Sequence, residues 1–177
     1  MSIFPTRILL ATDGSEEAQL ALQTAVDLAS STGSELHVAT VGREYHPAYY
    51  EIPEPEEIRE KALRTLEREA QGILDEQVRK IEEAGGTVTE VHRRMGGRKD
   101  QEIVRLGEEI GAGLIVMGSR GLGGLRRALM GSVFDSVVRH AHCPVLVVRE
   151  VRDTTQVGEV ADPLALPEWS GPLPAEA

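Results

Sequence analysis

Short apolar runs alternate along the chain with longer segments in which apolar residues recur every three or four positions. Short runs bounded by turn residues are typical of buried strands, and the longer pattern is typical of amphipathic helices. The first run, 7–12, is closed by the turn sequence Asp-Gly-Ser. The predicted strands comprise residues 7–12, 35–41, 87–94, 114–118 and 144–148.

Helical spacing of apolar residues predicts a helix in each interval between the strands. The helix after the first strand has the pattern Ala18, Leu22, Ala25, Val26 and Ala29. A long helix is predicted over 58–86, where two glycines end it. We expect its core-facing stripe to be Ile58, Ala62, Leu66, Ile73 and Ile81. A third helix is expected from an N-cap at Asp100 through Ile110, and a fourth opens at Ser132.

Strands that alternate with helices predict a parallel sheet, and right-handed crossovers place helices on both of its faces. We therefore predict a doubly wound α/β fold: one open sheet of five parallel strands in the order 3-2-1-4-5. A single domain is expected over residues 1–150. Prolines and acidic residues dominate 151–177 and no periodicity continues there, which predicts a mobile C-terminal tail.

Composition and charge limit the function classes. The 177 residues carry a formal net charge of −10, which argues against nucleic acid or an anionic membrane surface as the partner. The one cysteine, Cys143, excludes an internal disulfide. No apolar run approaches the roughly 18 residues of a membrane span, and the start of the chain lacks the apolar core of a signal peptide. We expect a cytoplasmic protein.

The stretch GSRGLGGLRRALMGSV, residues 118–133, places five glycines and three arginines directly after the fourth strand. Ligands of open parallel sheets bind beyond the carboxyl ends of the strands, where the winding reverses. Gly118, Gly121 and Gly131 follow the spacing G-x2-G-x9-G, and the next helix then opens at Ser132 with unpaired N–H groups that suit phosphate. The helix after the first strand instead opens with two acids, Glu16 and Glu17.

A simpler interpretation of the same stretch is that its glycines only form turns. Ser132 and Asp135 would then form a capping box, and the arginines would only be solvated. The combination of glycine spacing, position in the sheet and positive charge favours a ligand that carries phosphate.

The spaced glycines, together with ILLATDGSEEA near the start and HCPVLVVR near the end, resemble the ATP-binding branch of the universal stress protein family. The resemblance covers about residues 3–149 and implies a site for ATP, with or without Mg²⁺. Asp13 would contact the ribose or a metal ion, and Val41 would pair with adenine through its backbone. The ribose and phosphate contacts implied are Met117, Gly118, Arg120 and Gly121, and the further phosphate contacts are Gly131, Ser132 and Val133.

Catalysis and metal binding have weaker support in the sequence. The pattern G-x4-G-K-[ST] is not present and no second carboxylate completes a metal site, so hydrolysis is not supported and any ATPase activity is expected to be slow. His140, His142 and Cys143 are candidate metal ligands at a helix end, but we expect no metal there. Cys143 is expected to be a buried apolar residue.

Two candidate partners follow for this chain. The resemblance implies a homodimer formed through the last strand, which is apolar on both faces. The main functional hypothesis is a nucleotide-responsive binding module of the stress response with a further protein partner that the sequence does not identify. The alternative is an interaction module that needs no nucleotide and acts through the dimer edge and the tail that carries Trp169. Residues 43–55, with three tyrosines, are either a lid over the adenine or a surface loop.

Overall fold

The computed structural model describes residues 2–47, 55–121 and 132–150. Five strands and four helices alternate along these residues. The strands are β1 (Arg7–Ala11), β2 (Glu35–Val41), β3 (Glu90–Arg94), β4 (Leu114–Gly118) and β5 (Val145–Val148). The helices are α1 (Glu16–Thr32), α2 (Glu56–Glu83), α3 (Lys99–Ile110) and α4 (Ser132–His140). The tail proposed for 151–177 lies outside the described residues.

All five strands are parallel and form one sheet in the order β3-β2-β1-β4-β5. This order confirms the predicted doubly wound fold. The central strand β1 pairs with β2 on one side and with β4 on the other. From β1 the chain continues to β2 over one face of the sheet, and it enters β4 from the other face. The carboxyl ends of β1 and β4 therefore form the switch point where such sheets bind ligands.

Alternation along β1 divides the core into two layers. Ile8 and Leu10 point to the face covered by α1 and α2, whereas Leu9 and Ala11 point to the face covered by α3 and α4. Each of these four side chains is at most 7% exposed. A strand buried on both faces is continuously apolar, which is why the first run of the sequence shows no alternation of apolar and polar residues.

The apolar stripe predicted for α2 is partly wrong. Ile58 is 55% exposed, and the buried residues of this helix are Ala70, Leu74, Gln77 and Ile81. The helix has 28 residues and is therefore about 42 Å long, whereas the longest strand spans about 23 Å. Only the C-terminal half of α2 has a sheet to pack against, so periodicity alone overestimates how far its core face extends.

The N-cap predicted at Asp100 is also wrong. Helix α3 begins at Lys99, and the residue at its N-cap position is Arg98, which makes no side-chain cap. The Asp100 carboxylate accepts hydrogen bonds from Nη2 of Arg98 at 2.7 Å and from the Ser136 hydroxyl of α4 at 2.5 Å. The side chain therefore joins α3 to α4 instead of capping its own helix.

Across the described residues, no helix combines the length and the apolar character needed to cross a membrane.

Candidate functional site

The candidate site lies where β1 and β4 end side by side. Ala11 pairs with Met117 in the strand register, so the two strands end at the same edge of the sheet. Met117 is 6% exposed and packs in the core layer between the sheet and α3 and α4. The structure places Asp13 next to Gly121 at the carboxyl edge, whereas the contacts of these residues with a nucleotide stay predictions.

Gly118 ends β4 directly against the first turn of α1. A Cβ atom at this position would lie 2.9 Å from the backbone carbon of Glu17 and 3.1 Å from the backbone nitrogen of Ala18. Both neighbours are backbone atoms of a packed helix, so they cannot move aside as a side chain would. Glycine is required here because two backbones approach each other closely.

Gly121 lies against the carboxylate of Asp13. A Cβ atom at position 121 would be 2.3 Å from Asp13 Oδ2. The other carboxylate oxygen, Oδ1, accepts a hydrogen bond of 3.1 Å from the backbone N–H of Ser15. The turn after β1 thus holds the carboxylate at the edge of the sheet, and the bare backbone at Gly121 makes room for it.

A buried ion pair joins the start of α1 to the chain leaving β4. Glu17 is 8% exposed, and its carboxylate accepts hydrogen bonds from the Ser119 hydroxyl at 2.5 Å and from Arg120 Nε at 2.6 Å. Burial opposes ionisation of this carboxyl, but the bonds from Ser119 and Arg120 outweigh burial and lower its pKa below the ordinary 4.5. Glu17 therefore fixes the position of Arg120 and balances its charge.

Glu17→Gln is expected to lower the free energy of unfolding by about 1 to 3 kcal/mol at pH 7, because two charge-assisted hydrogen bonds are weakened. Since the pKa of Glu17 is lowered by folding, its ionised form stabilises the fold above pH 4.5. That contribution is lost as the pH falls through the lowered pKa. Urea unfolding from pH 7 down to about pH 3 should show the difference between variant and wild type shrinking. The exposed neighbour gives the control Glu16→Gln, and a difference that stays constant with pH would contradict the assignment.

The end of β2 is tied to the end of β1 by polar contacts. The Thr40 hydroxyl donates to the carbonyl of Thr12 at 2.8 Å, and the Thr12 hydroxyl donates to Gln77 Oε1 of α2 at 3.2 Å. Val41 follows at the end of β2 and is 9% exposed. The structure therefore brings Val41 to the same edge as Asp13, whereas its contact with adenine stays a prediction.

Ser132 and Val133 begin α4. Ser132 is exposed, and Val133 is half-buried against the core layer under α3 and α4. Gly131 and residues 122–130, including two of the three arginines, lie outside the described residues, so the phosphate contacts predicted there stay predictions. The Asp135 carboxylate accepts two bonds of 3.0 Å from Arg139.

Two further sequence candidates do not join the site. Cys143 packs against the core layer under α3 and α4 but is only partly buried, which differs from the buried residue expected, and this partial burial raises the pKa of its thiol. His142 Nε2 lies 3.0 Å from the carbonyl of Ala112, which accounts for this side chain structurally. Residues 48–54, most of the segment considered as a lid, lie outside the described residues.

Sequence reasoning missed the contact of Glu17 with Ser119 and Arg120 and that of Thr12 with Gln77. The first joins residues more than 100 positions apart, and no local pattern announces such a contact. One signal was present: Gln77 is a polar residue within the apolar stripe of a long helix, and it is 1% exposed. A buried amide requires a polar partner, and here the partner is at the end of β1.

Comparison with known proteins finds consistent similarities over the α/β domain. The sequence model of the universal stress protein family matches residues 5–149. Universal stress protein YxiE of Bacillus subtilis is 33% identical over 147 residues, which cover 81% of this chain and 98% of the relative. The solved structure of hypothetical protein MJ0577 has a TM-score of 0.70 and 29% identity, covering 85% of this chain and 99% of that one. A universal stress protein solved in complex with cAMP has a TM-score of 0.58 and 26% identity, covering 84% of this chain and 99% of that one.

Proposed function

The chain belongs to the universal stress protein family, and on that basis we propose that it binds an adenine nucleotide, ATP in particular, at the carboxyl edge of its sheet. The observation that carries the proposal is the convergence of Asp13, Gly118 and Gly121 at the switch point, where backbone leaves no room for a Cβ atom at Gly118 and the Asp13 carboxylate lies against Gly121. The complex of a structural relative with cAMP supports an adenine nucleotide as the ligand.

We assign the parts of the nucleotide as follows. Asp13 binds the ribose or a Mg²⁺ ion, and the backbone of Val41 pairs with adenine. Around the ribose and phosphates lie Met117, Gly118, Arg120 and Gly121, and the phosphates extend to Gly131, Ser132 and Val133. Arg120 gives its Nε to Glu17, but a guanidinium carries five N–H donors, so the same side chain is compatible with a phosphate contact.

The same residues favour binding over hydrolysis. Mg²⁺ bound with a nucleotide takes one or two carboxylates together with phosphate oxygens, and Asp13 fits that role as a single carboxylate. The further acids at the start of α1 are Glu16 and Glu17, and the Glu17 carboxylate is bound to Ser119 and Arg120. We therefore propose a cytoplasmic binding module in which the nucleotide sets the conformation of residues 119–130 and so the affinity for a protein partner.

Calorimetric titration of ATP, ADP and cAMP, with and without Mg²⁺, tests this function. Wild type should bind at one site per chain, and Gly121→Ala should bind at least about tenfold more weakly because the added methyl displaces the Asp13 carboxylate. Gly72→Ala is the matched control, since a Cβ atom at Gly72 meets nothing within 4 Å. If wild type binds none of these nucleotides, the proposal is wrong and the nucleotide-independent interaction module replaces it.

We also propose that two copies pair through β5. This strand is at the edge of the sheet, and all four of its residues, Val145–Val148, are half-buried instead of buried. Val138 of the adjacent helix α4 is 47% exposed. An apolar edge strand is normally covered by a partner because its backbone groups and side chains are otherwise exposed.

Val147→Lys is expected to convert the dimer to a monomer, because it places a charge within the paired edge. Light scattering after size-exclusion chromatography measures the mass, and circular dichroism checks that the variant is folded. Val91→Lys, on the opposite edge strand β3, should leave the dimer intact. A wild-type chain that is monomeric at every concentration would rule out this pairing.

A further inference from the structure

The sequence Glu-x-His occurs on two neighbouring strands. Residues 35–37 begin β2 with Glu-Leu-His, and residues 90–92 begin β3 with Glu-Val-His. The period of two along a strand places the glutamate and the histidine of each sequence on the same face of the sheet. His37 pairs with Glu90 in the register, so the two sequences meet side by side. This cluster lies in the first half of both strands, about 13 Å along β2 from Val41 and the candidate nucleotide site.

Three of these side chains bring ligand atoms close together. His37 Nδ1 and His92 Nε2 are 3.1 Å apart, and Glu90 Oε2 is 3.9 Å from each of them. The point equidistant from three atoms with these separations is about 2.1 Å from each, whereas zinc bonds to imidazole nitrogen and carboxylate oxygen are about 2.0 to 2.2 Å. An ion at this point would lie in the plane of the three atoms, so a tetrahedral site with a fourth ligand requires the side chains to shift, and the two rings to turn from their nearly parallel arrangement.

The hydrogen bonds of His37 give independent support. The residue is 4% exposed, and among the described residues its Nε2 has no hydrogen-bond partner. The nearest acceptor is Glu35 Oε2 at 3.6 Å, which Arg7 holds from the other side at 2.9 Å. A buried ring nitrogen without a partner is costly, so this one requires an explanation.

A metal ion is one of two arrangements that direct an N–H from that nitrogen towards Glu35. Two neutral imidazoles whose nitrogens are 3.1 Å apart share one proton between them. If His37 donates that proton from Nδ1, its Nε2 is a bare acceptor that faces the Glu35 carboxylate, itself an acceptor. The proton is on Nε2, directed at Glu35, either when His92 donates to Nδ1 or when a metal ion binds Nδ1. Carboxylates commonly orient metal-binding histidines in this way.

We propose that His37, Glu90 and His92 form a binding site for a divalent transition-metal ion of the Zn²⁺ class, with Glu35 orienting His37. Two imidazoles and one carboxylate are a ligand set that zinc takes in proteins, and three protein ligands leave a fourth position for water or another ligand. The ion can reach the site from solvent, since the Glu90 side chain is 62% exposed while those of His37 and His92 are 5% and 11% exposed.

Metal binding by the full-length, chelator-stripped protein tests the proposal. Zn²⁺ is titrated in competition with a chromophoric chelator, and Co²⁺ is titrated while its visible absorption is recorded. Wild type should bind one ion per chain, and Glu90→Gln and His92→Asn should each weaken binding at least tenfold. Glu35→Gln should weaken it about tenfold to a hundredfold through the orientation of His37.

Two control variants separate this site from others. Glu57→Gln removes an exposed carboxylate elsewhere, and His140→Asn removes a histidine near the rival ligands His142 and Cys143. Neither should change the affinity for Zn²⁺. Binding that is equal in wild type and Glu90→Gln, or that is lost in His140→Asn, would overturn the proposal. Glu90 is exposed, so Glu90→Gln remains informative even if His92→Asn does not fold. ATP binding by Glu90→Gln should equal that of wild type, which keeps this result separate from the nucleotide proposal.

Discussion

Asp13→Ala is expected to weaken ATP binding by about tenfold to a hundredfold while the protein stays folded. Asp13 is held at the end of β1 by the N–H of Ser15 and lies against Gly121, so its carboxylate is the fixed charged group at the centre of the proposed site. A hydrogen bond to a charged group contributes about 1.5 to 3 kcal/mol, and each 1.4 kcal/mol is a factor of about ten in affinity. Isothermal titration of wild type and variant measures the ratio.

The control for this variant is Asp27→Ala, which removes an exposed carboxylate from α1. Asp13→Asn separates the two roles considered for Asp13, because the amide retains an acceptor for Ser15 but loses the charge that a metal ion requires. If Asp13 contacts the ribose alone, the asparagine variant should bind ATP equally with and without Mg²⁺. An alanine variant that binds as tightly as wild type would remove Asp13 from the site.

Gly118→Val is expected to lower the free energy of unfolding by about 3 kcal/mol or more, because its Cβ atom has no space. The atoms in the way are the backbone of Glu17 and Ala18, at 2.9 to 3.1 Å, so α1 itself would have to move. For a domain of this size, such a loss lowers Tm by about 6 to 12 °C. Thermal and urea unfolding measure it, and the same movement should weaken nucleotide binding.

Gly72→Val is the comparison for Gly118→Val, since that glycine is on the exposed surface of α2 and has open space around it. It should leave stability unchanged or raise it slightly, because valine has a higher helix propensity than glycine. If both variants had the same stability, the close contact between β4 and α1 would not be the reason for glycine at position 118.

The architecture could be predicted because each of its elements has a local signature. The run 7–12, the turn after it and the stripe from Ala18 to Ala29 define a strand, a turn and a helix from neighbouring residues alone. When strands and helices alternate along a chain, only a few strand orders are possible in the sheet, and the observed order is the predicted one. The position of the glycine stretch could be predicted in the same way, because the stretch begins where the apolar run of β4 ends.

Features that depend on distant contacts could not be predicted in this way. Ile58 fits the helical period, yet the sheet is too short to cover it. Arg120 pairs with Glu17, which lies 103 positions earlier in the chain. The periodicity of apolar residues does not predict that these two side chains meet. The repeated Glu-x-His was visible in the sequence, but its meaning required the register that sets His37 beside Glu90. Local patterns thus define the elements, whereas charge pairing and ligand geometry emerge only when the elements pack.

The ion pair of Glu17 also suggests how binding at this edge would reach the rest of the fold. Glu17 belongs to α1, and Ser119 and Arg120 belong to the chain that leaves β4. A phosphate that competes for the Arg120 guanidinium would therefore change the contact between α1 and that segment. A contact whose arrangement changes with the ligand is what the proposed nucleotide-responsive module requires.

The central claim is that an adenine nucleotide binds where β1 and β4 end, and amide chemical shifts of the isotope-labelled protein during titration with ATP test it most directly. The account predicts saturable shifts that cluster at residues 12–15, 40–42, 117–121 and 132–133, with little change at the Glu-x-His cluster on β2 and β3. It predicts the same map, with smaller shifts at equal ATP concentration, for Asp13→Ala. Shifts confined to other surfaces, or none at saturating ATP, would contradict it.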